Sequence, residues 1–484
     1  MQRFFSLILI LANFIASCYA QDQALQQEIA TIESGLLGPI NVKGQAARTY
    51  SMEERMAFHK VPGLSIAVVK DGVLRWAKGY GIADSEKGTP VTTTTRFQAG
   101  SISKPVAALA ALKLMEEGKL DIDKDVNQYL QDWKVAENRF TEEEKVTVRR
   151  LLTHTAGTNV HGFPGYKPDA QIPSVTEVLN GKGNTDKVEV DTIPGSRWKY
   201  SGGGYTIMEK VVEDITGMPL EVYASSKVLQ PLGMVNSTYE QPLPEDSYDE
   251  ASAAYDRGGQ LIAGTWHVYP EQAAAGLWTT PSDLAKYCIE VQEIAQGKED
   301  GVFLRPTITA MLTKHMNDWG LGPSLAWAGD SLRFQHGGKN AGFTNSMIAF
   351  AYRSDAYIIM TNADNGMSLI REIARSLSAY YDWKTIQPRE VEVLTLPDKV
   401  IKSYVGEYKY VEEVPEIGDY LVSITREDDA LVVFDPNTNE KNVLRAVSET
   451  AFMNTDNGDE LTFEEHNRSV FFWNNRFEFH KLEK

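Results

Sequence analysis

From Gly100 to Leu112 the chain carries one charged side chain, Lys104, in a run that is otherwise small or apolar. A segment apolar on every side reads as a helix buried in a domain core. A lysine near the start of such a helix has to be paired, neutralised or used, because a buried ammonium is costly. Ser101 lies three residues before it, one turn away on the same face. A serine and a lysine so placed are the parts of an activated nucleophile.

The 484 residues leave room for two or three domains. A net charge of −18 excludes nucleic acid and an anionic membrane surface as partners, since both require basic patches. Residues 1–20 read as a secretory signal peptide: a basic start at Arg3, an apolar run from Phe4 to Ile15, and small residues up to Ala20. The run is too short to span a bilayer, and no later stretch is apolar enough. Ile15-Ala16-Ser17-Cys18 also resembles a bacterial lipoprotein box, which would make Cys18 a lipid anchor. Either way the expected location is exported: periplasmic, secreted or membrane-anchored. Beyond residue 20 only Cys288 remains, in an apolar helical pattern, so it reads as core.

Leu64 to Lys70 and Val73 to Tyr80, joined by Asp71-Gly72, predict a hairpin. Residues 140 to 300 are mostly helical in pattern, and strand-like runs return at Asn345 to Tyr352 and Tyr357 to Asn362. Strands at both ends with helices between predict an α+β domain, an antiparallel sheet flanked by helices with an all-helical subdomain. After Pro388 short strand-like runs alternate with polar turns, starting at Ile401 to Tyr410, which predicts a small all-β barrel or sandwich. The expected organisation is a domain over 21–385, a linker over 386–397 and a β domain over 398–484.

Ser-x-x-Lys occurs twice, at Ser101–Lys104 and Ser196–Lys199. Only the first opens an apolar helix, whose free N–H groups and dipole favour an oxyanion. Ser101 needs a group to take its proton. Lys104 serves if burial keeps it neutral, and a tyrosine serves if a nearby positive charge favours the phenolate. Tyr200 follows the Pro194-Gly195 turn and precedes Gly202-Gly203-Gly204. His336-Gly337-Gly338 sits at an expected strand that could bind substrate. His154, in Thr153-His154-Thr155, reads as a loop element. No Gly-x-Ser-x-Gly elbow occurs, and the histidines show no metal-ligand spacing, so no metal or cofactor is expected.

Residues 45 to 385 resemble the serine β-lactamase and penicillin-binding protein superfamily, in the branch near class C β-lactamases, D,D-peptidases, D-aminopeptidases and esterases. The match rests on Phe97 to Lys104, Val148 to Gly157, Pro194 through Tyr205, His336-Gly337-Gly338 and, more loosely, Ala275 to Leu284. The resemblance implies Ser101 as the acylated nucleophile, Lys104 as its partner and Tyr200 as the base that shuttles the proton. It places His336, Gly337 and Gly338 on the strand lining the pocket. The oxyanion would be held by the Ser101 N–H and a second N–H at Lys339 or Asn340.

Two departures bear on substrate. Where the family has Tyr-x-Asn, this chain has Tyr200-Ser201-Gly202, so Gly202 stands at a substrate-contact position without the amide. Where β-lactamases have Lys-Thr-Gly it has His336-Gly337-Gly338. Loss of one charge-assisted contact costs about 1.5–3 kcal/mol. The expectation is a hydrolase of a small-molecule, peptide or ester substrate rather than an efficient β-lactamase. The alternative is a non-catalytic binding or sensing protein on the same fold.

Overall fold

The computed structural model describes residues 21–328, 331–414 and 417–482. The expected leader and Cys18 lie outside the described residues. The chain divides into two compact units, one of residues 56–370 and one formed by residues up to 55 together with those from 371 onward. The division therefore falls earlier than the expected linker. That segment, 386–397, contains a strand, Arg389–Val391, paired in parallel with Ile40–Val42.

Unit 56–370 is built on a seven-stranded sheet. Its order is Thr89–Pro90, Val73–Asp84, Gly63–Lys70, Ala356–Thr361, Phe343–Phe350, Ser331–Asn340 and Ser324–Ala328, every neighbouring pair antiparallel. The hairpin turns at Asp71 and Gly72, both with positive φ. Ala356–Thr361 is buried along its whole length, which explains why its sequence, Ala-Tyr-Ile-Ile-Met-Thr, shows no polar alternation. Helix Pro281–Ala295 packs on the central strands and encloses Cys288 completely.

Helix Ser103–Glu116 is the buried helix expected from the sequence, with every residue from Ser103 to Leu112 inaccessible. It packs against helix Gly202–Thr216 and the turn Gln272–Gly276. The stretch read as mostly helical is largely irregular: between 153 and 201 the only α-helix is Val175–Leu179. Pro164, Pro168, Pro173 and Pro194 interrupt it, and each removes a donor and restrains the residue before it.

In the other unit eight strands from Gly406–Tyr410 to Phe477–Lys481 form a closed antiparallel barrel, which decides between barrel and sandwich. The run Ile401 to Tyr410, read as one strand, is instead a helix, Asp398–Ser403, followed by the first barrel strand. Pro397 at its N-cap and Asp398 in its first turn suit a helix start. Two strands, Glu440–Ala446 and Ala451–Met453, had no clear apolar alternation and were not anticipated.

What positions the site is the contact between the turn Gly100–Ile102 and strand Ser331–Asn340. A Cβ on Gly338 would lie 1.9 Å from the Ala99 carbonyl oxygen. A Cβ on Gly100, which has φ +55°, would lie 2.5 Å from the Lys339 nitrogen. Both positions need glycine for backbones to meet. Gly337 differs, since the nearest atom to its added Cβ is 3.8 Å away. Gly338→Ala is expected to destabilise the protein by about 1–3 kcal/mol, whereas Gly337→Ala changes stability little. Paired thermal melts check this, and equal melting temperatures for the two variants contradict it.

Candidate active site

Ser101 sits in the 3-10 turn Gly100–Ile102 that leads directly into helix Ser103–Glu116. Lys104, one turn on, is 2% exposed. Its Nζ lies 3.1 Å from Ser101 Oγ and donates to the Ala274 carbonyl at 2.7 Å. Burial without a compensating carboxylate pulls the Lys104 ammonium down to about 7. The neutral amine, with a free lone pair, is therefore abundant at neutral pH.

Tyr200 stands two residues before helix Gly202–Thr216, and its side chain lines the same cleft as Ser101. Burial pushes the phenol up to about 12, and the Ser101 contact only partly opposes this. Lys104 Nζ lies 5.1 Å from the centre of the Tyr200 ring, but with its ammonium pulled down to about 7 it does not offset the burial of the phenol. The resting Tyr200 is thus a neutral phenol.

The tyrosine is held from behind. Ser201 caps the following helix by accepting from the Gly204 N–H, and its own N–H donates to Nδ1 of His154 at 3.1 Å. The imidazole of His154 packs on Tyr200 with centroids 4.2 Å apart. Burial, and then the nearby Lys104, hold His154 well below its usual range, so it is a neutral acceptor. This agrees with its reading as a loop element. Gly202 is buried and does not line the cleft. A Cβ there would come within 2.9 Å of the Phe163 ring and 3.2 Å of the His161 carbonyl. The glycine lets this loop close over the helix start, where the Val160 and His161 carbonyls accept from Gly203 and Gly202.

Strand Ser331–Asn340 forms the opposite wall. Buried amides tie it in place: Asn340 Nδ2 donates to Gln98 Oε1 at 2.9 Å and to the Ala275 carbonyl at 3.1 Å, and Asn345 Nδ2 donates to the Gln98 carbonyl at 2.8 Å. His336 places Nδ1 2.6 Å from the Gly337 carbonyl. A carbonyl can only accept, so Nδ1 carries the proton and Nε2 presents a lone pair. Nε2 is buried and has no partner among the described residues. Burial, with Lys104 as a second cause, lowers His336 to about 4, so it is a neutral acceptor at physiological pH.

Ser101, Tyr200, His336, Gly337 and Gly338 meet in one cleft of about 1010 Å³. The second Ser-x-x-Lys does not form a pair: Ser196 donates to the Ile193 carbonyl, and Lys199 is bound to Asp191 at 2.5 Å. Side-chain contacts that the sequence did not disclose stand in or beside the cleft. Lys339 pairs with Asp364 at its edge, and Arg197 donates to Thr192 Oγ1 at 2.9 Å. Trp319 packs edge-on against Tyr200 and His336 at 5.9 and 5.6 Å. The lysine missing at position 336 thus has a cationic neighbour three residues on, already neutralised by an aspartate. Among the described residues no group of His, Cys, Asp or Glu could hold a metal ion.

Beneath the Lys104 acceptor lies a second unusual feature. Glu209 and Glu271 are fully buried, and Glu209 Oε2 accepts from the Ala273 N–H at 2.8 Å, inside the turn that carries Ala274. Both oxygens of Glu271 and Oε1 of Glu209 have no hydrogen-bond partner. Burial pushes the Glu271 carboxyl up to about 8 and Glu209 well above the carboxylate range. The folded protein therefore holds Glu271 protonated where the unfolded chain, titrating near 4.5, is ionised. The unfolded state then binds fewer protons, so stability falls as pH rises from about 4.5 to about 8 and is flat above that. Glu271→Gln is expected to flatten this slope and to raise the melting temperature more at pH 8 than at pH 5. Parallel profiles for variant and parent would contradict it.

The fold has counterparts among known structures. A penicillin-binding protein homologue from Pyrococcus abyssi, described as octameric, superposes with a TM-score of 0.60 at 23% identity over 89% of this chain and 98% of its own. A penicillin-binding protein from Bacillus halodurans gives 0.54 at 19% identity over 69% of this chain and 99% of its own. At such identities the likeness is one of fold. In sequence, protein flp of Staphylococcus aureus is 27% identical over 229 residues, 46% of this chain and 42% of the relative. Teichoic acid D-alanine hydrolase of the same organism is 25% identical over 229 residues, 47% of this chain and 54% of the relative. The chain thus matches only about half the length of these relatives. The family profile described as Beta-lactamase matches residues 51–379, well over half of the chain and the whole stretch that carries Ser101, Tyr200 and His336. By that match the chain belongs to the Beta-lactamase family.

Proposed function

We propose that this protein is an exported serine hydrolase that cleaves an ester or amide through an acyl-enzyme on Ser101. The observation that carries this is a buried lysine with no counter-charge, its Nζ 3.1 Å from the hydroxyl of a serine at the mouth of a helix. Neutral Lys104 takes the Ser101 proton as Oγ attacks the substrate carbonyl. The developing oxyanion is held by the Ser101 N–H and by that of Lys339, whose backbone abuts Gly100. Asn340 suits this less, because its side chain is committed to fixing the strand. Tyr200 gives its phenol proton to the leaving alcohol or amine and recovers one from the Lys104 ammonium. A water then attacks the ester, passing its proton along the same groups, and releases the acid and free Ser101.

On the opposite wall, neutral His336 Nε2 accepts a hydrogen bond from a substrate donor. A β-lactam carboxylate needs a cation there, and Lys339 is already paired with Asp364. The balance therefore favours a peptidase or esterase over an efficient β-lactamase. The name of the relative that hydrolyses D-alanine from teichoic acid makes D-alanyl esters and amides the first substrates to examine. Export follows if residues 1–20 act as a leader or Cys18 is lipidated.

Ser101→Ala is expected to reduce hydrolysis of a nitrophenyl ester by about 10³-fold or more. Failure of folded parent protein to react at Ser101 with a fluorophosphonate would overturn catalysis in favour of a binding role. For the parent enzyme kcat/KM is expected to rise with pH and level off above about 7, as Lys104 loses its proton. A profile flat from pH 5 to pH 9 would remove Lys104 as the base.

A further inference from the structure

The C-terminal barrel is closed by packed side chains at one end and holds a cavity beside them. At the closed end Tyr404 stacks on Phe463 at 4.0 Å and donates to the Glu449 carbonyl, while Tyr408 donates to the Tyr404 carbonyl. Short helix Asp398–Ser403 contributes Ile401 to the same apolar plug. Above the plug the interior is not filled. A cavity of about 380 Å³ remains, within the size range of small-molecule sites. Eight-stranded barrels have interiors just wide enough to be packed by side chains or to hold one small ligand. This one packs its lower half and leaves its upper half free.

The lining has a definite chemistry. Phe471 and Phe479, stacked 4.8 Å apart, make the floor. Tyr410, Tyr420, Trp473 and Phe477 make aromatic walls, reached by the two-residue alternation of their strands. Tyr410 lies 5.3 Å from Phe479 and 6.0 Å from Phe477, so the rings enclose a shared space. Asp435, Glu440 and Asp459 are the charged residues in the lining, and no lysine or arginine is among the described residues there. Tyr420 donates to Asp435, which orients that carboxylate without neutralising it. The Arg476 guanidinium lies over the Phe477 ring, 4.9 Å from its centroid. Aromatic faces carry negative potential, and with carboxylates beside them they attract a cation that brings apolar surface.

We propose that the barrel is a second binding site, separate in kind from the serine cleft, for a small organic ammonium with an apolar body. The apolar part lies on Phe471 and Phe479, and the ammonium sits among Tyr420, Trp473, Asp435 and Glu440. An anionic ligand of the same shape is repelled.

Titration of the full chain with benzyltrimethylammonium, benzyl alcohol and phenylacetate, followed by calorimetry, tests this. The ammonium is expected to saturate one site about tenfold more tightly than the alcohol, and phenylacetate not to bind. The paired substitution Asp435→Asn and Glu440→Gln, isosteric changes on the barrel lining, removes that tenfold advantage. As an independent reading on unsubstituted carboxylates, the ammonium quenches the fluorescence of the parent and not that of Trp473→Phe. No saturable binding at about 1 mM, equal affinity for the three probes, or undiminished quenching in Trp473→Phe overturns the proposal.

Discussion

The burial of Lys104 against Ser101 is the constraint on which the rest of the serine cleft depends. An ammonium removed from water and given no carboxylate lowers its own pKa, here to about 7. The cost is borne by a helix whose next eight residues are wholly buried and which is therefore difficult to move. A carboxylate within reach of Nζ would remove the effect by restoring the charged form. Among the described residues the groups that hydrogen-bond with Nζ, the Ser101 hydroxyl and the Ala274 carbonyl, are neutral. Even the two acids beneath the Ala274 turn are kept protonated by burial, so they do not return the lysine to its charged state.

A tuned amine is of use only if the opposite wall lies at a fixed distance. Two glycines allow that approach, and three buried amides fix it. Gly338 admits the Ala99 carbonyl, and Gly100 admits the Lys339 backbone. Gln98, Asn340 and Asn345 then bond across the contact with almost no access to water, where an unmade hydrogen bond costs more than in solvent. Tyr200 is fixed by a different route, between a capped helix start and the His154 ring, whose Nδ1 takes the Ser201 N–H. Pocket walls of this kind are set by backbone contacts, so side chains can change on the strand without loss of the frame.

What was legible in the sequence followed from local chemistry. Ser101 and Lys104 could be read because a single charge in an apolar helix is improbable without a partner, and spacing alone places them together. The sheet was legible because the Asp71-Gly72 turn and the late apolar runs carry their own signals. The pairing of Lys339 with Asp364 was not legible, since a lysine side chain after two glycines and an aspartate in a loop look like solvated surface until the strand brings them together. Trp319 gave no signal either: its aromatic neighbours come from positions 154, 198, 200 and 336. Strand Glu440–Ala446 was missed for another reason, as a barrel wall with a half-open interior puts Glu440 and Asn442 on its inner face. Polar residues facing a cavity erase the alternation that identifies a strand.

The same distinction explains the two departures from the family pattern. Gly202 has no side chain because the His161–Phe163 loop occupies the space where one would project, so the amide is replaced by a closed wall. With it come the His161 ring, 4.9 Å from Tyr200, and the Val160 and His161 carbonyls that cap the helix. At position 336 a fixed cation is replaced by a neutral ring whose single free lone pair is buried and unpaired. An unpaired buried acceptor is costly and is relieved only by a donor. Position 336 thus presents an acceptor where the family pattern has a cation, while Lys104 Nζ stands 3.1 Å from Ser101 Oγ.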